Sequence, residues 1–587
     1  MRRLRTTSPS HATSALAVLT LLSTITACSM FGANAAVAAS PTTQGSHEAG
    51  VVLDSGMNSN SNAGTSQPTG SNTSNGSGGS TGSTGASVPK GLESFYNQDL
   101  TWTDCTDNAT GTAFKCATVT VPLDYDNPQG KTITVALKKL PATTPSPRGS
   151  VFLNPGGPGV SGISAIEYQA ELYKTGDLSE VLANYDVIGF DPRGVGQSTP
   201  ITCWSPEDVQ AILAGQTEAP SPSLSTPGSA ADIVAQGSRE AAACQKYTEV
   251  PEILDHMDTR SVARDMDVMR ALVGDKDLNY LGTYLGAVYT ELFPDNIGRV
   301  VLDSAMDPTL SRQEASEDGA AAKEQSLRTY IESQQGQAGF PLCGTTEEAI
   351  AQLASFLDGL DANPLAVSNS RETLNRVKAV DAIGALANSS PDKWPLLTEG
   401  LAQAMNAHDG TVLARNAASV SSNSVPPPTT EKQVVERLRT RYVFSANRCL
   451  DFPDAGNEAS WDAALASYRP DYPVFHSSLP QMDAFCHGWR HTSRTEAVNV
   501  DVEATNPVLV IGILHDPSTP YPWSQALVSR IRNSHLLSVD MHGHIATGAN
   551  SCTTAKIGDY LVNGTFPSDG EVCAADPEPQ AGGGEKG

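Results

Sequence analysis

The sequence predicts an α/β protein with a doubly wound, mostly parallel sheet. Six short apolar segments recur along the chain, several ending in Gly, Asp or Asn, as expected of strands that are buried on both faces. These segments are Ser150–Leu153, Tyr185–Phe190, Leu278–Leu281, Arg299–Leu302, Pro507–Ile513 and His535–Val539. Helical patterns lie between them, and in Thr259–Val273 four apolar residues fall on one face. Functional residues of such a sheet gather at the carboxyl ends of its strands.

An antiparallel hairpin and a helical insertion complete the predicted domain. Polar and apolar residues alternate from Cys116 to Leu140, with Asp126–Gly130 as the turn. Residues 309–445 lack the strand pattern and are typical of helices joined by polar loops. We therefore predict one large core, residues 91–308 and 446–575, with a helical cap subdomain inserted at 309–445.

Residues 1–27 have the layout of a signal peptide. Met1–Arg5 is basic, and Ala15–Ala27 is apolar but too short to span a bilayer. The four residues that end at Cys28 resemble a lipobox, after which Cys28 would become a lipidated N-terminus. The alternative is cleavage within the small residues Ala33–Ala39 and release of a soluble protein. We predict an exported protein, either a lipoprotein of the cell membrane that faces outward or a secreted protein.

Composition and charge limit the partners of this chain. Residues 28–90 are dominated by Ser, Gly, Thr and Asn, which predicts a flexible linker to the lipid anchor, and residues 576–587 are predicted to be a disordered tail. The formal net charge is −26, and removal of the signal peptide would take away three arginines and no acid. This acidity argues against nucleic-acid binding. Because no C-x-x-C or clustered Cys/His spacing occurs, neither a metal nor another cofactor is expected.

The ten cysteines suit an oxidising compartment. With Cys28 set aside for the lipid, sequence neighbours form four plausible disulfides, although sequence alone does not prove their connectivity. These pairs are Cys105/Cys116, Cys203/Cys244, Cys449/Cys486 and Cys552/Cys573. Cys343 is left over, and we expect it to be a free packing thiol rather than a nucleophile.

Two motifs follow predicted strands in the first half of the chain. The glycines of Asn154–Gly159 would let backbone N–H groups approach a developing oxyanion, and Gly156 and Gly157 are the candidate donors. The turn after the next strand contains Asp191 and Arg193. We expect a structural role for these two residues, which would hold that loop in place.

Two later motifs supply an acid and a histidine. Asp516 lies just past a late strand, and His544 follows the last strand in Met541–His544. A nucleophile, an acid and a histidine occur in that chain order in α/β-hydrolases.

Together these motifs resemble the secreted tripeptidyl aminopeptidase-like and prolyl aminopeptidase-like branch of the α/β-hydrolase superfamily. The resemblance runs from about Phe95 to Cys573 and also includes Val121–Tyr125 and Leu302–Pro308. It implies an α/β-hydrolase fold with a cap, a serine exopeptidase activity on short peptides, and no cofactor.

The resemblance also implies roles for individual residues. Asp516 would be the acid of a catalytic triad, His544 the general base, and Gly157 the donor of one oxyanion N–H. His542 and His515 rank lower, since the family pattern puts the base after glycine and the acid before proline.

The cap of such exopeptidases selects short peptides and holds their free amino end, commonly with carboxylates. Glu314, Glu317 and Asp318 near the start of the cap are candidates for this role. An acidic run on a helix is usually a solvated face, and we favour that interpretation.

The nucleophilic serine is missing from the place where the resemblance predicts it. The family reads approximately L-N-Y-L-G-x-S-Y-G-T-Y-L-G-A, whereas this chain reads LNYLGTYLGA from Leu278 to Ala287, so about four residues including the serine are absent. Four residues are close to one helical turn and an even number for a strand, so both flanks can keep their buried faces and the fold is expected to survive. The lost segment would have carried the Oγ and the second oxyanion N–H.

Thr283 and Tyr284 lie at the gap, and neither suits the role of nucleophile. The Tyr284 phenol reaches further out and has a pKa of about 10, while Thr283 is β-branched and ill suited to a strained turn. Because loss of the serine lowers the rate of a triad enzyme by roughly a millionfold, we expect very low activity.

Two hypotheses follow. The chain is a serine-type hydrolase that trims peptides from the N-terminus by acyl transfer through Asp516, His544 and an unidentified hydroxyl, or it is a catalytically inactive pseudo-hydrolase that binds peptides or a protein partner. A third interpretation is an in-frame loss in the recorded coding sequence, which resequencing between Leu281 and Tyr284 would reveal.

Overall fold

A ten-stranded sheet runs through the chain. The computed structural model describes residues 88–577 except 108–109, 215–228, 369–371, 418–429, 453–454, 477–480, 492–497 and 499. The predicted signal peptide, Cys28, nearly all of the predicted linker and most of the predicted tail lie outside the described residues. Within the described ranges, no helix is both long enough and apolar enough to cross a membrane.

Seven neighbouring strands of the large sheet are parallel, and three at one edge are antiparallel. The strands are β1 (Thr103–Asp104), β2 (Lys115–Pro122), β3 (Thr132–Leu140), β4 (Ser150–Leu153), β5 (Asp186–Asp191), β6 (Leu278–Gly282), β7 (Ile297–Asp303), β8 (Leu365–Ala366), β9 (Thr373–Leu374), β10 (Val502–His515), β11 (Ile531–His542) and β12 (Val572–Ala574). The order in the large sheet is β1-β2-β3-β5-β4-β6-β7-β10-β11-β12, and β8 and β9 form a separate two-stranded sheet.

Helices connect the strands and build the cap. They are α1 (Glu93–Tyr96), α2 (Gly162–Lys174), α3 (Ser179–Asn184), α4 (Pro206–Leu213), α5 (Ala230–Tyr247), α6 (Thr259–Leu272), α7 (Tyr284–Leu292), α8 (Arg312–Gln334), α9 (Thr346–Ala362), α10 (Arg376–Ala387), α11 (Trp394–Ala407), α12 (Thr411–Ala417), α13 (Glu431–Asp451), α14 (Glu458–Tyr468), α15 (Gln481–Trp489), α16 (Tyr521–Arg530) and α17 (Ser551–Asn563). Two short 3-10 helices lie at Pro251–Asp255 and Pro391–Lys393.

The sequence pattern predicted six of the seven parallel strands and missed β12, a strand of three residues of which two are exposed. The six apolar segments lie in β4, β5, β6, β7, β10 and β11, and all four residues of β4 are buried. The alternating stretch that begins at Cys116 forms β2 and β3, which pair from Lys115 with Lys139 to Pro122 with Thr132. The predicted α/β class with a mostly parallel sheet is therefore confirmed.

Apolar clusters cover both faces of the sheet, as doubly wound domains require. One face packs against α2, α3 and α17, and the other packs against α6, α7 and α13. Helices α8 to α12 share a separate apolar core, which is the core of the cap. Helix α13 spans the boundary predicted at residue 445, yet its buried apolar residues all belong to the core of the sheet.

Four disulfides join cysteines that are neighbours in the sequence. They link Cys105 with Cys116, Cys203 with Cys244, Cys449 with Cys486 and Cys552 with Cys573. Cys343 is also disulfide-bonded, and none of the cysteines that the structure describes is free. The expectation of a free packing thiol at Cys343 is therefore wrong. The residue lies in the loop between α8 and α9 and is only half-buried, so it is not a packing residue of a core.

Arg193 joins the loop after β5 to three other segments. Its guanidinium donates hydrogen bonds of 2.8 and 2.7 Å to Asp265 on α6, and others to the carbonyl groups of Pro122, Leu123 and His256. The charged side chains of this ion pair are 0% and 1% exposed. The structural role predicted for Arg193 is confirmed, because one buried side chain ties the sheet, this loop and α6 together.

Asp191 ties the same loop to the start of α2. Its carboxylate accepts hydrogen bonds from the Ser161 hydroxyl and from the N–H groups of Ile163 and Gln197. Burial raises the pKa of Asp191, and these donors oppose that rise. Asp191 therefore also has the structural role that the sequence predicted.

The buried ion pair of Arg193 predicts a large loss of stability on truncation. Arg193→Met leaves the Asp265 carboxylate buried without its partner, and the free energy of unfolding should fall by about 3–5 kcal/mol in urea titrations. Arg532→Met is the matched control, because Arg532 pairs with Asp501 and Glu503 while 52% of its side chain stays exposed, so its change should stay below about 1 kcal/mol. Equal losses in the two variants would contradict the prediction.

Candidate active site

An acid and a histidine from two neighbouring strand ends are in hydrogen-bond contact. Strand β10 ends at His515, and the next residue, Asp516, is 3% exposed. Its carboxylate accepts the N–H groups of Ser518 and Thr519 at 2.8 and 2.9 Å and the Thr519 hydroxyl at 2.9 Å. The His544 Nδ1 lies 3.1 Å from its Oδ1 and 2.9 Å from its Oδ2. The turn after β10 therefore orients the carboxylate toward the imidazole ring.

This contact decides which nitrogen of His544 can act as a base. A carboxylate only accepts hydrogen bonds, so Nδ1 carries the proton of the neutral ring and Nε2 is left to take a proton. Burial is the largest effect on the pKa of His544 and lowers it, but the charge and hydrogen bond of Asp516, with help from Asp303, raise it above the ordinary value of 6.5. The side chain is 36% exposed, which leaves the ring open to a ligand.

A second carboxylate, Asp303 at the end of β7, holds the turn that carries His544. It accepts the N–H groups of Ala546 and Thr547 and the Thr547 hydroxyl at distances from 2.6 to 3.1 Å. The Ser304 hydroxyl accepts another N–H of the same turn at 3.3 Å. Sequence reasoning missed this role, and the signal for it was an acid at the end of a predicted strand.

The glycine turn after β4 lies at the same edge of the sheet. Gly156 and Gly157 have φ of 82° and 111°, conformations that other residues disfavour. The Gly156 N–H donates to the side-chain oxygen of Asn154 at 3.1 Å, so this predicted oxyanion donor is occupied in the present conformation. The Gly157 N–H has no partner among the described residues, which leaves it available to a ligand oxygen.

The strand-to-helix turn that carries the nucleophile in the family motif is one residue long in this chain. Strand β6 ends at Gly282 and α7 begins at Tyr284, with Thr283 between them at the N-cap position. Thr283 has φ of −115° and ψ of −142°, and its side chain does not cap the helix. The strained turn that presents a serine in α/β-hydrolases is therefore absent.

Two glycines keep the shortened turn close to the sheet. A Cβ on Gly282 would lie 2.4 Å from the Asn154 carbonyl oxygen, and one on Gly286 would lie 2.6 Å from Cδ2 of Leu302. Strand β6 still pairs with β4 and β7, and α7 buries Leu285–Thr290. Both flanks of the gap keep their buried faces, as the sequence predicted.

Neither hydroxyl at the gap occupies the position of a nucleophile. The Thr283 side chain packs on the glycine turn, where a Cβ on Gly156 would come within 2.6 Å of its Oγ1. Tyr284 packs against Met306 and Trp523, and burial raises the pKa of its phenol well above the ordinary value. Among the described contacts of His544, neither hydroxyl donates a hydrogen bond to its ring.

The two lower-ranked histidines stack on each other and are not joined to the acid. The ring centroids of His515 and His542 are 4.4 Å apart with an angle of 13° between the rings. The Nε2 of His515 lies 3.1 Å from Asp540, and the ring of Trp394 in the cap meets His542 at 5.5 Å between centroids. This pair forms a contact between the sheet and the cap.

The three acidic residues near the start of the cap have different partners. Glu314 is exposed and completes the capping box at the N-terminus of α8. The Glu317 carboxylate accepts the Tyr468 hydroxyl at 3.2 Å, and the Asp318 carboxylate accepts the indole N–H of Trp523 at 2.7 Å. Glu314 therefore has a structural role, whereas Asp318 is an exposed carboxylate close to the turn that carries the acid.

The geometry defines what this site can do. It can accept a proton at Nε2 of His544, stabilise the resulting imidazolium with Asp516, and donate the Gly157 N–H to an oxygen. No group of three or more His, Cys, Asp or Glu side chains in the described part of the chain is placed to hold a metal ion.

Comparisons with known proteins found relatives of this chain. A family model described as "TAP-like protein" matches residues 472–573. The tripeptidyl aminopeptidase of Streptomyces lividans is 31% identical over 503 residues, which cover 82% of this chain and 87% of that protein. Serine protease Hip1 of Mycobacterium tuberculosis is 30% identical over 502 residues, which cover 81% and 91% of the two chains. Among solved structures, VinJ aligns with 76% of this chain and 98% of its own at 13% identity and a TM-score of 0.32.

The contact between Asp516 and His544 predicts a pH dependence for the ring. We expect the His544 titration, followed by the NMR signals of its ring, to have a midpoint above 6.5, because Asp516 favours the charged form. Asp516→Asn should lower that midpoint, because burial lowers the pKa of His544 and the negative charge that opposes this effect has been removed. A His544→Gln sample assigns the signal. A midpoint that does not move in Asp516→Asn would show that the contact is not maintained in solution.

Proposed function

Since the chain belongs to the tripeptidyl aminopeptidase-like family of α/β-hydrolases, we propose that its pocket binds short peptides and that its hydrolytic turnover is very low. The observation that carries this proposal is an Asp516–His544 pair in working geometry beside a β6–α7 turn without a serine. The protein is then a peptide-binding member of a peptidase family in which most of the acid–base machinery is kept.

The retained residues support binding and proton transfer at a peptide carbonyl. In acyl transfer a hydroxyl oxygen attacks the carbonyl carbon, the histidine takes the hydroxyl proton, and backbone N–H groups stabilise the oxyanion. In this chain Nε2 of His544 can take such a proton and the Gly157 N–H can reach an oxyanion. The curated relatives are named as tripeptidyl aminopeptidase and serine protease, which favours a peptide as the ligand.

Without the segment that carries the serine, the chain lacks the attacking Oγ but keeps the binding surface. Without a hydroxyl at the turn no acyl-enzyme forms by the family route, and one of two oxyanion donors is lost as well. A triad enzyme without its nucleophile keeps only a rate enhancement of roughly 10³- to 10⁴-fold over the reaction in water. The free amino end of the peptide would lie toward Asp318 and Glu317, whose carboxylates are the acidic groups at the start of the cap.

A second candidate function is slow hydrolysis through Thr283. The observation that favours it is the packing of the Thr283 hydroxyl on Gly156, which places this hydroxyl beside the oxyanion turn. The lack of a hydrogen bond from Thr283 to His544 among the described contacts argues against it. We therefore favour binding with very low turnover.

We also propose that the protein works outside the cell. The layout of residues 1–27 and the lipobox-like sequence that ends at Cys28 support export, with lipid attachment as the favoured outcome and release as the alternative. The four disulfides of the described core suit an oxidising compartment.

Restoring the serine tests the proposed loss of turnover. Insertion of Tyr-Ser-Tyr-Gly after Gly282 should raise kcat/KM on tripeptidyl or aminoacyl substrates by roughly a thousandfold or more, because it supplies the Oγ and the second oxyanion N–H. The matched control is Tyr-Ala-Tyr-Gly at the same place, which should stay inert. His544→Ala in the serine insertion should abolish the gain. A folded serine insertion without any gain would show that the site has changed elsewhere.

A fluorophosphonate probe separates the two candidate functions in the unmodified chain. No labelling is expected if the pocket only binds peptides. Labelling at Thr283 that is lost in Thr283→Ala and kept in Thr283→Ser would favour the second candidate. Peptide mapping of the labelled protein by mass spectrometry identifies the modified residue.

The N-terminus tests the proposed localisation. Protein purified from membranes of an expressing bacterium should carry a diacylglyceryl thioether on Cys28 as its first residue, and Cys28→Ser should move the protein to the medium. Mass spectrometry of the N-terminal peptide distinguishes this lipid from a Cys28 that is unmodified or bonded to another cysteine. A mature protein that begins within Ala33–Ala39 would establish release instead.

A further inference from the structure

Arg448 near the end of α13 has no carboxylate partner within the described residues. Its Nε is buried without a hydrogen-bond partner, and its Nη1 lies 3.0 Å from the sulfur of Met306, a weak acceptor. Its guanidinium carbon lies 4.5 Å from the centre of the Phe452 ring. A guanidinium has five N–H donors, so most of the hydrogen-bonding capacity of this side chain is unused.

The place of Arg448 connects it to the candidate active site. Met306 follows the end of β7, and it packs in one apolar cluster with Phe452, Trp523 and Tyr284. Tyr284 is the first residue of α7, directly after the shortened turn, and Trp523 lies in α16, which follows the turn of the acid. Arg448 therefore lies beside the start of α7, which follows the β6–α7 turn, and beside α16, which follows the turn of Asp516.

The same helix also touches the oxyanion turn. A Cβ on Gly159 would lie 2.8 Å from the carbonyl oxygen of Thr440 and 3.0 Å from the Cβ of Val443. Arg448 follows Val443 by five positions in the helix, a rise of about 7.5 Å along its axis. Helix α13 thus runs along the carboxyl edge of the sheet, from the glycine turn to the β6–α7 turn.

The carboxylates near Arg448 are occupied by other groups. Asp451 accepts the N–H and the hydroxyl of Thr259, at 2.7 and 2.6 Å. Asp483 pairs with Arg312, whose guanidinium also donates to the carbonyl group of Phe452. Burial, together with the charge of Arg312, lowers the pKa of Arg448 to about 10, which leaves it charged at neutral pH. The charges of Asp451 and Asp483 oppose this lowering, but within the described residues neither carboxylate accepts a hydrogen bond from Arg448, so the N–H donors of the guanidinium stay unused.

We infer that Arg448 binds a carboxylate of the peptide ligand. A half-buried guanidinium with unused donors is costly to the folded chain, and an incoming carboxylate is the group whose geometry it matches. The carboxylate comes either from the C-terminus of a short peptide or from an acidic side chain. This inference rests on the proposed function, because it names the chemistry of the ligand that the same pocket takes.

Binding of three matched peptides tests the inference on the full-length protein. Isothermal titration calorimetry with Ala-Ala-Ala, its C-terminal amide and Ala-Glu-Ala amide separates the two sources of the carboxylate. We expect at least one carboxylate peptide to bind about tenfold or more tightly than Ala-Ala-Ala amide. Preference for Ala-Ala-Ala assigns the C-terminus, and preference for Ala-Glu-Ala amide assigns an acidic side chain.

Variants show whether the preference belongs to Arg448. Arg448→Met keeps the apolar stem and should abolish the difference between carboxylate and amide peptides, while Arg448→Lys should keep part of it. Arg439→Met is the control on the same helix, because Arg439 donates to the carbonyl groups of Ile201 and Gly196, and it should leave the preference unchanged. Thermal unfolding of Arg448→Met should show little loss of stability, since the guanidinium donates only to the Met306 sulfur among the described residues and its Nε has no partner.

The outcomes are distinguishable from failure of the proposed function. Equal binding of all three peptides, or a preference that survives in Arg448→Met, overturns the role of Arg448 and leaves peptide binding intact. Binding of none of the peptides by the unmodified protein overturns both proposals. A marked loss of stability in Arg448→Met would show that the guanidinium has a structural role and would also overturn the inference.

Discussion

Parallel pairing in the centre of the sheet is the constraint on which the site depends. Strands β4, β6, β7, β10 and β11 are neighbours and run in one direction. Backbone hydrogen bonds hold adjacent strands about 4.8 Å apart, so residues that follow neighbouring strands come within reach of each other without contacts of their own. The glycine turn, Thr283, Asp303, Asp516 and His544 share one edge for this reason.

Separate contacts hold the separate parts of the site, which explains how the acid–base pair keeps its geometry beside a turn without a serine. The turn after β10 orients Asp516, and Asp303 at the end of β7 holds the turn of His544. None of these hydrogen bonds involves the β6–α7 turn. Close packing at Gly282 and Gly286 holds that turn against the sheet independently. The contact between Asp516 and His544 therefore does not depend on which residues form the β6–α7 turn.

Buried arginines of this chain differ in whether a carboxylate accepts a hydrogen bond from them. Arg193 has a carboxylate and three carbonyl groups as acceptors, and Arg312 has Asp483 and a carbonyl group. Arg448 has only a thioether and an aromatic ring. Unused N–H donors of a partly buried guanidinium lower stability in the free protein, and a ligand carboxylate that accepts them would offset that cost.

The sequence by itself determined six of the seven parallel strands and the hairpin, because local patterns of burial report them, and its short motifs and cysteine spacing suggested four disulfide pairs and the contact of Asp516 with His544. It did not reveal the role of Asp303, the disulfide of Cys343 or the unused donors of Arg448. Those depend on which distant segments meet, and no local pattern records such contacts. It also placed both Gly156 and Gly157 as oxyanion donors, whereas the folded turn engages the Gly156 N–H with Asn154. Tertiary structure decided these points, since a side chain's partners are set by packing and not by its neighbours in sequence.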